Sequence, residues 1–284
     1  MKIIDKKVLS ESNSTKITQI DVISPDVSAK AKPGQFVVLM ATAQGERIPL
    51  TVVDTDKNRG SIRLIFQELG FTTQVLGKMN KGDKLHAIVG PLGSPTEIKK
   101  YGKIILIGGG VGIAEIYPVA LALKAAGNSV TTVIGARTKD ILILEKELKK
   151  TSDNFFITTD DGSEGEKGFV TNVLRKLLSK DTYDIVYAVG PIPMMNKVCD
   201  ATRPSKTKTL VSLNALMVDG TGMCGSCRVT VGGEVKFSCV DGPEFNGHLV
   251  NWEELKSRNN IYRGKEKHIC KLNAATAYRG QRPM

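Results

Sequence analysis

Polar and apolar positions alternate in short runs over the first third of the chain, at residues 16–22, 35–40, 50–53, 61–66 and 84–89. A period of two puts successive side chains on opposite faces of a strand. Turn residues separate the runs: Lys32-Pro33-Gly34, the stretch 56–60, and Lys81-Gly82-Asp83. Short strands at this spacing, with no long helix between them, predict an antiparallel β-barrel over residues 1–97. Residues 89–93, Val-Gly-Pro-Leu-Gly, look like a linker. The pattern then changes. A continuous apolar run at 103–107 meets a glycine-rich turn and a helical stretch at 113–126. Strand patterns at 129–135, 154–159 and 184–189 alternate with helical ones at 141–149 and 170–178. That alternation predicts a parallel-sheet α/β domain over 98–212. A third pattern fills 213–284, where Val229-Thr230 and 234–237 form a small hairpin through Gly232-Gly233. Its tail, from 251, is charged and weakly helical.

At 284 residues, with 41% apolar and 24% charged side chains, the chain has room for two or three ordinary globular domains. The first ten residues lack the apolar core of a signal peptide. No run approaches the ~18 apolar residues of a membrane span. The expected compartment is the cytoplasm, without membrane attachment. The net charge of +11 raises the question of nucleic acid, but the lysines are scattered and aromatics are only 5%. No nucleic-acid-binding signature is present, so none is expected to bind. A basic surface suits an acidic protein partner, or simple solubility.

Three of the five cysteines fall between Asp219 and Cys239, in D-G-T-G-M-C-G-S-C-R-V-T-V-G-G-E-V-K-F-S-C. Plant-type [2Fe–2S] centres use C-x₄-C-x₂-C and a more distant cysteine. Cys224, Cys227 and Cys239 fill the last three positions, and Asp219 stands in the first. A carboxylate also ligates ferric iron and carries the same charge as a thiolate. The expected ligands are therefore Asp219, Cys224, Cys227 and Cys239. Two alternatives stand beside this. Asp219 caps the turn and Cys199 or Cys270 completes the cluster, or the cysteines belong to a zinc site.

The turn after 103–107 reads Gly108-Gly109-Gly110-Val111-Gly112-Ile113-Ala114. Strand, glycine turn and helix make a nucleotide-binding unit, with phosphate at the helix N-terminus. Gly110 and Gly112 are expected to approach the phosphates too closely for a Cβ. Ligands sit beyond strand C-termini in such sheets. Gly109, Gly110, Gly112, Arg137, Asp161, Gly190 and Pro191 are therefore expected along one crevice. Arg137 and Lys139 follow the second strand, where cations favour the 2′-phosphate of NADP.

In the barrel, Arg47-Ile48-Pro49-Leu50-Thr51 sets a cation and a hydroxyl around a stiffened strand, and Gly70-Phe71-Thr72-Thr73 opens a helical stretch at 72–79. Threonine hydroxyls and free N–H groups at a helix start suit a pyrophosphate. In this order, these features resemble the flavin domain of the ferredoxin–NADP reductase superfamily. The glycine turn, with Pro118 after it, matches that superfamily's G-G-x-G-x-[AST]-x-x-x-P pattern. The resemblance implies FAD held by Arg47, Pro49, Leu50, Thr51, Gln67, Gly70, Thr72 and Thr73, with Thr51 at the reactive edge. Arg47 stands four residues before Thr51 rather than three, and Leu50 holds the usual aromatic position.

Barrel, nucleotide domain and cluster loop, in this order, are similar to the electron-transfer subunits of dihydroorotate dehydrogenases. The run V-D-G-T-G-M-C-G-x-C-R-V-T-V-G-G-E-V-K-F-x-C-V-D-G-P-E-F resembles more closely the small subunits of electron-bifurcating NADH-dependent reduced ferredoxin:NADP oxidoreductases. That resemblance implies an oxidoreductase subunit carrying FAD and a [2Fe–2S] cluster and using NAD(H), with NADP(H) left open by Arg137. It also implies a heterodimer with a larger iron–sulfur flavoprotein, and ferredoxin reached through that partner. The readings kept beside it are a dihydroorotate dehydrogenase electron-transfer subunit and a redox-sensing or zinc-stabilised interaction module.

Overall fold

The computed structural model describes residues 1–12, 15–261 and 264. His268, Cys270 and most of the charged tail lie outside the described residues. The first part holds β1 (Ile3–Ser12), β2 (Thr15–Ile23), α1 (Pro25–Lys30), β3 (Phe36–Met40), β4 (Arg47–Thr51), β5 (Asp54–Asp56), β6 (Ser61–Gln67), α2 (Phe71–Lys78) and β7 (Ala87–Leu92). Its strands form two antiparallel sheets, β1-β2-β6-β5 and β4-β3-β7. Ile20, Val22, Val37, Leu39, Ile62, Leu64 and Phe66 fill the space between them. The alternate residues Ile17 and Ile65 point the other way and pack on the next domain. The period of two therefore buries both faces of β2 and β6.

Two expectations need correction. Residues 89–93 are not a linker: β7 runs through Pro91 and pairs Leu92 with Phe36. The register shifts between Phe36 and Val38, a bulge that accommodates a residue with no N–H to donate. The strand expected at 50–53 is β4, which ends at Thr51, and Val52 and Val53 are buried beyond it. The pattern also missed β1. It is an edge strand rich in lysine, with only Ile3 and Ser10 buried, so its alternation carries little apolar signal.

The second layer holds β8 (Lys103–Gly109), α3 (Gly112–Ala125), β9 (Ser129–Ala136), α4 (Glu145–Thr151), β10 (Asn154–Thr159), β11 (Glu166–Lys167), α5 (Val170–Lys180), β12 (Ile185–Val189), α6 (Ile192–Thr202) and β13 (Lys208–Ser212). The strands from β8 to β13 are parallel, as predicted. Ile104 and Leu106 of β8 pack with α3, while Ile105 and Ile107 pack with α5 and α6. Helices on both faces explain why β8 reads as a continuous apolar run. The helix α3 continues through Pro118. Neither α6 nor β13 is assigned from the sequence pattern, although Pro193 stands in the first turn of α6, where proline is tolerated.

The last stretch holds β14 (Arg228–Val231), β15 (Glu234–Phe237), β16 (Glu244–Asn246) and α7 (Trp252–Asn259). The predicted hairpin is β14–β15. The strand β16 joins β13 antiparallel and completes a seven-stranded sheet, β11-β10-β9-β8-β12-β13-β16. The tail expected to be weakly helical begins with a capped helix, since the Asn251 side chain accepts the Glu254 N–H at 3.1 Å. Phe245, Val250, Trp252 and Leu255 share a core with Phe36 and Val38 of the barrel. Among the described residues, no helix is long and apolar enough to cross a membrane.

Candidate functional site

A cleft of about 450 Å³ opens beneath the barrel, a size that suits a cofactor. Its walls include Pro49, Leu50 and Thr51 of β4, Gln67 at the end of β6, and Gly70, Thr72 and Thr73 at the start of α2. Seven of the eight residues expected around a flavin thus come together. Arg47 does not: it sits exposed at the start of β4, outside the lining. Glu46 lines the cleft instead and accepts the Thr72 hydroxyl at 3.0 Å. The Thr73 hydroxyl closes the helix start, accepting the Gly70 N–H at 3.0 Å and the Leu69 N–H at 3.1 Å.

Sequence reasoning missed Glu115, which enters the cleft from α3. Burial pushes its carboxyl up to about 7, opposed by a hydrogen bond from the Thr51 side chain. Its only sequence signal is a charge inside an otherwise apolar helix start.

A second cleft, of about 610 Å³, lies beyond the C-termini of β8, β9 and β10. Of the expected residues, Gly109, Gly110, Arg137 and Pro191 line it. Gly112, Asp161 and Gly190 do not. The Asp161 carboxylate turns back into its own loop, accepting the Ser163 N–H at 3.0 Å and hydroxyl at 2.7 Å. Those bonds hold its carboxyl below the usual range. Asp160, Arg175 and Lys197 line the cleft in its place. They come from the end of β10 and from α5 and α6, which periodicity cannot aim at a common point.

The two glycines of the turn differ in role. Gly110 has a left-handed φ of +57° and, among the described residues, no neighbour within 4 Å of where a Cβ would stand. A Cβ on Gly112 would lie 2.6 Å from the Val189 carbonyl oxygen and 3.0 Å from the Gly190 N. The expectation that Gly112 makes room for phosphate is therefore corrected: it makes room for β12, so that α3 can pack against the sheet.

In the loop from Asp219, the carboxylate accepts the Thr221 N–H and the Cys224 N–H, each at 2.9 Å. These bonds lower its pKa. Hairpin pairing of Arg228 with Phe237 sets Cys227 and Cys239 side by side, 3.1 Å apart and buried. The Cys239 N–H donates to the Cys227 sulfur at 3.4 Å, and the Gly222 N–H donates to the Cys239 sulfur. Burial and the neighbouring Cys227 push the Cys239 thiol up to about 12. Cys224 is exposed three residues before Cys227, and its thiol is lowered mainly by Ser226. The fold thus brings together two of the four expected ligands, with Asp219 and Cys224 on the solvent side. Among the described residues, no three His, Cys, Asp or Glu side chains converge on one point.

The donor set nevertheless fits an iron–sulfur group. Two buried thiols in contact, with N–H groups aimed at sulfur, are stable as thiolates only beside strong positive charge. Cys199 fits less well, since it is buried on α6 beneath Gly247 and Val211, where burial raises its thiol to about 12. Gly220, at φ +77°, lays the loop on the barrel, where a Cβ would stand 2.7 Å from Leu92 and 2.9 Å from Val38.

Residues 214–251 match the iron–sulfur cluster binding domain of dihydroorotate dehydrogenase B, and residues 106–200 match an oxidoreductase NAD-binding domain. A homologue of the dihydroorotate dehydrogenase B (NAD⁺) electron transfer subunit from Thermotoga maritima is 53% identical, over 86% of each chain. A structure of the NADH-dependent reduced ferredoxin–NADP oxidoreductase, solved to study flavin-based electron bifurcation, is 50% identical. It superposes with a TM-score of 0.87 over 94% of this chain and 95% of that one. Ferredoxin–NADP⁺ reductase from Plasmodium falciparum shares the fold at 16% identity, with a TM-score of 0.60 over 74% of this chain and 93% of that one.

Proposed function

This chain belongs to the family of dihydroorotate dehydrogenase B electron-transfer subunits, and on that premise we propose that it passes electrons between NAD(H), FAD and a [2Fe–2S] cluster within a cytoplasmic heterodimer. One observation carries the reading. Gln67 and Val111 line both clefts, while Leu213, Asn214, Ala215 and Met217, just before Asp219, line the first. Dinucleotide cleft, barrel cleft and cysteine loop are therefore contiguous.

Each part has a task that its chemistry suits. N–H groups of the first turn of α2 offer donors to a pyrophosphate, while the Thr72 hydroxyl is held by Glu46. Thr51 lines the cleft, where its side chain would orient the flavin's reactive edge. Gly110 opens the second cleft to dinucleotide phosphates, and Arg137, Arg175 and Lys197 supply positive charge there. Asp219, Cys224, Cys227 and Cys239 would hold the cluster. When bound, FAD converts two-electron hydride chemistry into the single electrons that a cluster carries.

The proposed partner is a larger iron–sulfur flavoprotein, through which ferredoxin is reached. A dihydroorotate dehydrogenase catalytic subunit is the second reading, favoured by the name of the Thermotoga maritima relative. Anaerobic purification tests the proposal. The isolated chain should carry FAD and a [2Fe–2S] cluster, and NADH should bleach both. Cys227→Ser should leave flavin bleaching intact and abolish the cluster signal. A colourless, zinc-loaded chain would refute the reading, and the protein that co-purifies decides between the two partners.

A further inference from the structure

The first cleft contains a carboxyl that the electron path does not use. Glu115 is the fourth residue of α3 and lines the barrel cleft beside Thr51, Val111 and Ala114. It belongs to the nucleotide layer but meets the barrel's hydroxyl. The groups around it are acids and hydroxyls. From β12, Tyr187 faces it and donates to Glu244 of β16 at 2.8 Å, and Glu244 also takes the Thr96 hydroxyl. From the loop before β4, Glu46 lines the same cleft. Tyr117, on the same helix, faces Asp54 and Arg63 of the barrel and Glu147 of α4. Ile104 and Leu106 of β8 and Val130 and Ile134 of β9, which share a core with α3, are apolar. Among the described residues, no cation contributes to the charge balance of Glu115.

The start of α3 favours an anion, as does the Thr51 hydroxyl. Burial opposes both and wins, lifting the carboxyl to about 7. A half-buried acid at that value changes its protonation in response to small changes in nearby charge.

We propose that Glu115 acts through Thr51 as a charge-compensating residue of the cleft, binding one proton from solvent when one negative charge enters and releasing it when that charge leaves. This rests on the reading of the cleft as the flavin site. The electron comes from the transfer activity itself, the proton comes from water, and the only bond made or broken is the O–H of the carboxyl. Glu115 is thus a positioning residue, with Thr51 between it and the reacting atoms.

The test is the flavin midpoint potential of the FAD-loaded full chain as a function of pH, in wild type and Glu115→Gln. Glutamine keeps the size and loses the titration. The two curves should coincide below about pH 6, where the acid is neutral, and separate above about pH 8, the variant lying higher because it lacks the anion. Protonation of the flavin itself affects both proteins and cancels in the difference. Reduced-minus-oxidised infrared spectra near neutrality should show a protonated-carboxyl band gained on reduction and absent from the variant. Thr51→Val removes a bond that favours the anion, so the potential curve should break at higher pH than in wild type. Parallel or coincident curves with FAD bound in both proteins overturn the inference and leave the flavin reading standing. Failure of the wild-type chain to bind FAD overturns both.

Discussion

Replacing Gly112 by alanine should weaken the fold before it weakens dinucleotide binding. The added Cβ falls 2.6 Å from the Val189 carbonyl oxygen, against 3.4 Å or more in ordinary contact. Backbone cannot rotate away as a flexible side chain can, so α3 and the end of β12 must separate by several tenths of an ångström. Overpacking of this kind costs about 1–3 kcal/mol. For a chain this size, each kcal/mol lowers Tm by roughly 2–4 °C, so a fall of about 2–12 °C is expected. Gly110→Ala is the control. Its Cβ meets nothing, and a non-glycine residue at a left-handed φ costs about 1–2 kcal/mol. That Cβ opens on the dinucleotide side, so KM for NADH should rise at a smaller loss of stability. Thermal unfolding of the flavin-loaded chain, with NADH-dependent flavin bleaching, separates the two. If Gly112→Ala unfolds with wild-type Tm and only its KM rises, the packing argument is wrong.

Other outcomes are equally specific. Asp219→Cys should retain the cluster with a shifted potential and Asp219→Ala should lose it or make it labile, while Cys199→Ser leaves it untouched; an unaltered visible spectrum in Asp219→Ala would remove the carboxylate from the ligand set. Burial raises the Glu244 carboxyl, so the native protein binds a proton that the unfolded chain releases, and this group's contribution to stability falls as pH rises through the carboxylate range. Glu244→Gln, which can still accept from Tyr187 and Thr96, should flatten that part of the stability profile in urea titrations from pH 4 to 8. Thr51→Ala should slow flavin reduction by NADH more than it weakens FAD binding, because one hydroxyl contributes only about 0.5–1.5 kcal/mol to binding; unchanged reduction would take Thr51 out of the reaction. Arg137→Ala should lower any activity with NADPH more than that with NADH, as steady-state comparison of the two would show.

The sequence by itself determined the succession of layers and the chemistry of the loop. Periodicity of two, then continuous apolar strands between helices, then cysteines at fixed spacing are local patterns, and local patterns survive without knowledge of the partners they pack on. Three things waited for tertiary structure. The first is convergence: Thr51 and Glu115 are far apart in sequence, and only the docking of α3 beneath the barrel places an acid beside a hydroxyl in one cleft. Its charge is then set by burial, which no residue pattern encodes. The second is substitution of neighbours. The chain turns Asp161 into its own loop and presents Asp160, and it presents Glu46 where Arg47 was expected, because a single residue's shift along a strand or turn changes the face. The third is the meaning of a glycine. Gly110 and Gly112 look alike in a glycine-rich turn, but one opens on a cleft and the other on a carbonyl of β12, a distinction made only by the strand that the fold brings alongside.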